Sequence, residues 1–140
     1  MISLVSISCG ENLEMDMIIR SGSCLCGAIR YSVKGPPLRI GLCHCADCRK
    51  ESGSSFVTFA VWSSHAFESK GEVTLAGGRG FCANCGSRLF NPGEGEVEIR
   101  VGSLDMAPTD LQPSYEIWTK RREDWLPPLS HAEQFEEDRT

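Results

Sequence analysis

Several things are scarce in this chain of 140 residues. It lacks a long apolar run: no stretch comes near the roughly 18 apolar residues that a membrane-spanning helix requires, which argues against a membrane protein of that kind. It lacks a concentration of positive charge. Its 14 Lys and Arg are outnumbered by 19 Asp and Glu, for a formal net charge of −5. The short cluster Lys120-Arg121-Arg122 runs straight into Glu123-Asp124. A phosphate-binding partner needs a basic face, so the charge argues against nucleic acid and against an anionic membrane surface. A secretory signal is not expected either. The opening Met1-Ile2-Ser3-Leu4-Val5-Ser6-Ile7-Ser8 carries no Lys or Arg ahead of its apolar residues and no small-residue cleavage site.

Helical periodicity is also scarce. Only Ala46–Ser52 and a turn at 121–125 have a helical look. Period-two alternation recurs instead. Ile29, Tyr31 and Val33 oppose Arg30 and Ser32, and Leu38, Ile40 and Leu42 lead into Cys43. Residues 56–62 form a β-branched and aromatic run. Residues 73–75, 88–90 and 115–118 mark further strands, the second of them ended by Asn91-Pro92-Gly93. In residues 96–101, Val97, Ile99 and Val101 are expected inside and Glu96, Glu98 and Arg100 outside. The expected fold class is therefore all-β, with short strands, tight turns and few helical turns. Residues 1–17 read as a flexible N-terminal extension, with Met15 and Met17 as alternative starts. Residues 18–135 read as one domain and 136–140 as a frayed tail.

What the chain has in excess is cysteine, with eight residues. With no export signal in sight, a reducing, cytoplasmic compartment is expected, where thiols serve as metal ligands or catalysts rather than disulfides. Seven of the eight fall in three knots. Cys24-Leu25-Cys26 is followed by Gly27, Cys82-Ala83-Asn84-Cys85 is followed by Gly86, and Cys43-His44-Cys45-Ala46-Asp47-Cys48 lies between them. Zinc takes four tetrahedral ligands, and its thiolate bonds are about 2.3 Å long. Cysteines one or two residues apart reach one ion when the backbone turns tightly, and a following glycine lets N–H groups point at the sulfurs.

Seven ligands divide into four and three. Cys24, Cys26, Cys82 and Cys85 make a closed tetrathiolate set. Cys43, Cys45 and Cys48 make a three-ligand set with a fourth position open, the arrangement of a catalytic zinc. Two zinc ions per chain are expected on this division. Other pairings remain open: free or disulfide-linked cysteines, iron in place of zinc, or a second structural site completed by His44 or Cys9.

Three stretches carry a family resemblance: 22–31 around Cys24 and Cys26, 43–50 with its C-H-C-x-x-C-R knot, and 81–90 around Cys82 and Cys85. They resemble the glutathione-dependent formaldehyde-activating enzyme family, also called the GFA or CENP-V family, over about residues 18–135. The resemblance implies an Mss4-like fold of small zinc-stabilised sheets. It also implies that Cys24, Cys26, Cys82 and Cys85 are structural ligands, while Cys43, Cys45 and Cys48 hold a labile zinc where a substrate thiol binds. The reaction implied joins glutathione and formaldehyde to S-(hydroxymethyl)glutathione, a carbon–sulfur lyase chemistry run in the direction of bond formation. The expected partner is thus a small thiol–aldehyde adduct. The short, glycine-rich segment 75–80 departs from the longer Ser/Pro-containing loop of many members.

Arg49, beside Cys48, would offset thiolate charge or hold a substrate carboxylate, and Ser54 and Ser55 would offer hydroxyls and N–H groups to the ligand. A solvated charge and a plain turn explain these three residues equally well. Trp118 and Trp125 are expected in the core more than around a pocket. A non-enzymatic zinc module that binds a protein or carries a thiol adduct is the alternative function. A homodimer is compatible with either.

Overall fold

The computed structural model describes residues 18–139. The expected N-terminal extension, residues 1–17, and Cys9 within it therefore lie outside the described residues. Among the described residues, eleven short strands make three sheets. β1 (Ile19–Ser23), β2 (Arg30–Lys34) and β5 (Phe67–Lys70) form an antiparallel three-stranded sheet in the order β1-β2-β5. The larger sheet contains β3 (Arg39–Cys43), β4 (Val57–Ser63), β8 (Phe90–Pro92), β9 (Glu96–Arg100), β10 (Tyr115–Ile117) and β11 (Glu133–Gln134). Its order is β11-β10-β3-β4-β9-β8, with β10 parallel to both β3 and β11. β6 (Thr74–Ala76) and β7 (Arg79–Phe81) form a hairpin. Its two turn residues, Gly77 and Gly78, both have positive φ, as the tightest hairpin turn demands.

The all-β expectation holds, and alternation explains the layering. Ile29, Tyr31 and Val33 are buried against Ala60, Trp62, Phe90, Val97 and Ile99 from the larger sheet. Tyr31 and Phe67 each meet the Phe90 ring edge-on, at 5.5 and 4.8 Å between centroids. The Trp62 indole donates to the Gly35 carbonyl at 2.9 Å, so the largest core side chain leaves no buried donor unpaired.

The single described α-helix, α1 (Ala46–Ser52), matches the helical expectation. It starts on Cys45, whose sulfur accepts from the Cys48 N–H, and ends at Gly53 in the left-handed conformation. Near the turn expected at 121–125, a 3-10 turn spans Thr119–Arg121 and a further turn is closed by the Leu126 N–H on the Glu123 carbonyl at 3.0 Å.

Three expectations fail for identifiable reasons. The strand at 88–90 does not stop at Asn91; it runs through Pro92, because β8 is the sheet edge and needs no N–H there. Arg100 does not face solvent: it is 7% exposed, because α1 covers that end of β9 and supplies Glu51 to its guanidinium. Trp125 is 69% exposed rather than in the core. In the C-terminal stretch, Glu137 accepts the Trp118 N–H through its carbonyl, and the Arg139 guanidinium lies 5.0 Å from the centre of the Tyr115 ring.

Candidate metal centres and the site between them

The fold brings the seven described cysteines of the three knots into two groups. The sulfurs of Cys24, Cys26, Cys82 and Cys85 all lie within 4.8 Å of one another, and so do those of Cys43, Cys45 and Cys48. All seven are free thiols.

The first group forms because two turns meet. Gly27 (φ 81°) and Gly86 (φ 80°) close them in the left-handed region, each with its N–H bonded back to the carbonyl of the first cysteine of its knot. Sulfurs then lie 3.7 Å apart for Cys24 and Cys26, and 3.8 Å apart for Cys26 and Cys82. Four thiolates around a tetrahedral zinc at about 2.3 Å sit about 3.8 Å from one another, so this donor set fits the ion. Donors already surround it. Ile29 N–H points at the Cys24 sulfur at 3.3 Å and the Asn84 amide at that of Cys26 at 3.2 Å. The hydroxyl and N–H of Ser87 hold the Cys85 thiol down to about 5.

The second group is built from one continuous stretch. Cys43 ends β3, Cys45 caps α1 and Cys48 lies in its first turn. Cys45 N–H points at the Cys43 sulfur at 3.5 Å and Cys48 N–H at that of Cys45 at 3.3 Å. Three convergent soft donors fit zinc with one position left for another ligand. Around them are Phe59, Tyr115, Ile117, Trp118 and Phe135, an apolar and aromatic floor. Cys43 and Cys48 are shifted in opposite directions. The hydrogen bond from Cys43, with help from Arg100, lowers the Cys48 thiol to about 6. Donating that bond, and then burial, push Cys43 far above the ordinary thiol range.

His44, weighed above as a fourth ligand, turns the other way. Alternation places it on the face opposite Cys43 and Cys45, where it is fully buried and its Nε2 lies 2.7 Å from Glu116 Oε1. Burial works against a charge on Glu116, but Gln134, the Leu129 N–H, His44 and Arg122 together lower its pKa to about 2.

Arg49, Ser54 and Ser55 do come together, lining one shallow depression of about 420 Å³ with Lys50 and Gly53. The Arg49 guanidinium is already engaged, however. It pairs with Glu123 at 2.5 Å and donates to the carbonyls of Ser55 and Arg121. Trp118 packs against the second group at the floor's edge.

Two features were missed by reading residues singly. One is Glu116, whose partners lie up to 72 positions away. The other is Glu51, which gathers Arg79, Arg88 and Arg100 beside Cys48. Arg79 also approaches Asp47 at 3.6 Å and Arg100 approaches Glu98 at 3.9 Å, so the cluster is close to charge-balanced, with Arg100 the member whose charge acts on Cys48.

The model of the glutathione-dependent formaldehyde-activating enzyme family matches residues 19–121. A protein of Halomonas elongata, provisionally named a glutathione-dependent formaldehyde-activating enzyme, is 31% identical over 87 residues, which cover 52% of this chain and 55% of the relative. The chain thus aligns with little more than half of that relative's length.

Proposed function

The chain belongs to the glutathione-dependent formaldehyde-activating enzyme family, and from that premise we propose that it joins, and in reverse separates, a small thiol of the glutathione type and a small aldehyde such as formaldehyde. The product would be an S-(hydroxymethyl) thiol adduct, and the enzyme a carbon–sulfur lyase. The observation that carries the reading is the division of the sulfurs, four gathered within 4.8 Å of one another at one place and three at another, one short of the four that zinc takes.

In this reading Cys24, Cys26, Cys82 and Cys85 would hold a structural zinc, and Cys43, Cys45 and Cys48 a second, exchangeable one. A zinc bound at the second set supplies acidification of an incoming thiol, so that the nucleophile is present as thiolate near neutral pH. The chain's own residues supply the rest. The aromatic floor of Phe59 and Tyr115 keeps water from one side of the three sulfurs. Arg100, whose charge favours the Cys48 thiolate, would offset part of the charge that accumulates on the sulfurs. The depression lined by Lys50, Ser54 and Ser55, which begins at Arg49 directly after Cys48, would receive the polar remainder of the thiol. Arg49 would shape its wall through Glu123 rather than meet the ligand directly.

The bond changes balance without any further reactant. The thiol sulfur forms a bond to the aldehyde carbon, the carbon–oxygen π pair moves to oxygen, and that oxygen takes up the proton the thiol gave up. A role for free thiols suits a reducing, cytoplasmic setting. Among the described residues, no helix is long and apolar enough to cross a membrane.

The test is zinc per chain for wild type and Cys45→Ser, with and without glutathione. Near two zinc ions in wild type, one in the variant with its fold intact, and protection of the second ion from a chelator by glutathione are the expected results. One ion in both proteins after reduction and added zinc would leave a structural domain that binds a partner without chemistry.

A further inference from the structure

The proposed reaction uses the sulfurs and leaves one buried polar pair without a task. His44 stands between two of the converging cysteines and is 0% exposed; Glu116 is 1% exposed. The imidazole Nε2 and Glu116 Oε1 are 2.7 Å apart, while Nδ1 is buried with no partner. The ring lies against Phe56, with centroids 5.8 Å apart. A hydrogen on Nε2 gives the carboxylate a donor and leaves only a lone pair on Nδ1. A hydrogen on Nδ1 would instead be an N–H buried without an acceptor. The network therefore selects the Nε2–H tautomer.

Glu116 is itself fixed on every side. Oε2 accepts from the Leu129 N–H at 2.7 Å and from Gln134 Nε2 at 3.0 Å, and Oε1 faces Arg122 Nη2 at 3.4 Å. The His44 N–H donates to the Ile117 carbonyl at 3.1 Å, one residue past Glu116. Backbone and side chain of the same residue are thus both stitched to β10. Because side chains alternate along an extended chain, fixing His44 on one face fixes the direction in which Cys43 and Cys45 leave on the other.

We propose that His44 and Glu116 are positioning residues that hold Cys43, Cys45 and Cys48 in their convergent arrangement, and that through Arg122, Leu129 and Gln134 they make the C-terminal strands part of the frame of the open site. This rests on the reading of that triad as an exchangeable metal site. The pair acts through the cysteine backbone and touches neither metal nor substrate. Outer partners of this kind typically alter metal affinity about 10- to 100-fold.

The experiment loads the full chain with cobalt(II) and follows its release to a chelator in wild type, Glu116→Gln, His44→Gln and the double variant. In each single variant the ion at the four-sulfur set is expected to be kept as in wild type. The second ion should leave about 10- to 100-fold faster, with a shift of its ligand-field band alone. Glu116→Gln keeps one acceptor oxygen where His44 and the Leu129 N–H each need one, and His44→Gln shortens the donor, so both weaken the same contact and the double variant should be no worse than the worse single one. Release at the wild-type rate in both single variants, or equal loss of both ions, would overturn the proposal. A wild type that takes up only one ion removes the functional reading beneath it, an outcome visible before any variant is compared. Should the buried variants fail to fold, nitrogen-15 long-range correlation spectra of the metal-loaded wild type decide: the hydrogen of His44 is expected on Nε2, and a hydrogen on Nδ1 refutes the clamp.

Discussion

Arg88 places Nε 2.8 Å and Nη2 3.0 Å from the two carboxylate oxygens of Glu51. Glu51 comes three residues after Cys48 and Arg88 three residues after Cys85, so this forked pair joins the supports of the two cysteine groups. Arg100 Nη2 adds a contact at 2.5 Å and Arg79 Nε one at 3.4 Å. A single carboxylate on a seven-residue helix thereby holds together β7, β9 and the segment leaving the second turn. Nε and Nη1 of Arg100 are buried without a hydrogen-bond partner, so the contact of Nη2 with Glu51 is the guanidinium's one hydrogen bond and the carboxylate is harder to replace.

Glu51→Gln is expected to destabilise the fold by about 2–4 kcal/mol, because it leaves buried guanidiniums without their counter-charge. The effect should also depend on pH. Burial raises the Glu51 pKa, but the Arg88 hydrogen bonds and the charges of Arg100, Arg88 and Arg79 outweigh it and bring the carboxyl below its ordinary value. A depressed folded-state pKa contributes stability that is complete above the unfolded value of about 4.3 and is lost as pH falls through the folded one. The gap in urea midpoint between wild type and variant should be constant from about pH 7 to 5 and narrow only below about pH 4. A gap that narrows between neutral and mildly acidic pH would assign the effect to a different group.

Gly41→Ala tests the floor of the open site. Gly41 is paired with Phe59 on one side and Tyr115 on the other, and a Cβ there would sit 2.8 Å from both rings. Two packed aromatic rings have little room to retreat, so a cost of about 1–3 kcal/mol is expected in thermal melting. Displacing the rings also disturbs Cys43, two residues along the strand. The second metal should then be released several-fold faster than in wild type, with the first unaffected. A variant that melts and releases metal as wild type does would show that the floor gives way freely.

The cysteine groups were legible in the residues because each knot is local: successive ligands lie two or three positions apart, with a glycine closing each of the two outer knots. The helix α1 was legible for the same reason, its start and stop lying inside the motif. Glu116 was not. In Tyr115-Glu116-Ile117-Trp118 a glutamate between apolar neighbours reads as the solvent face of an edge strand, yet β10 lies between β3 and β11, and residues 122–134 fold over it. Arg100 misled in the same way, since alternation assigns a face but not what covers it. β1 and β5 escaped notice because they are short and polar, Ile19-Arg20-Ser21-Gly22-Ser23 and Phe67-Glu68-Ser69-Lys70, and become strands only by pairing with β2.

The two cysteine groups differ in how they meet the core, and this difference predicts opposite responses to the same substitution. Cys24 and Cys82 are buried members of the main core cluster, packed with Ile29, Leu89 and Phe90. The turns they anchor, at 24–27 and 82–86, have little apolar surface of their own, so the metal joining them should account for much of their order. Cys82→Ser is therefore expected to lower the melting temperature by about 10 °C or more, corresponding to at least about 3 kcal/mol. Cys45 and Cys48 are half-buried at the rim of the smaller cluster, on a helix already held by Glu51 and Arg49. Cys45→Ser should shift melting by no more than about 3 °C, under about 1 kcal/mol, while abolishing binding of the second ion and any exchange between thiol, aldehyde and adduct. Magnetisation-transfer NMR on a glutathione–formaldehyde mixture measures that exchange directly. If Cys45→Ser melts as low as Cys82→Ser, both groups are structural staples, and the open site is a feature of geometry without chemistry. If neither variant melts early, the fold stands on its apolar core alone and the four-sulfur group has lost its structural role.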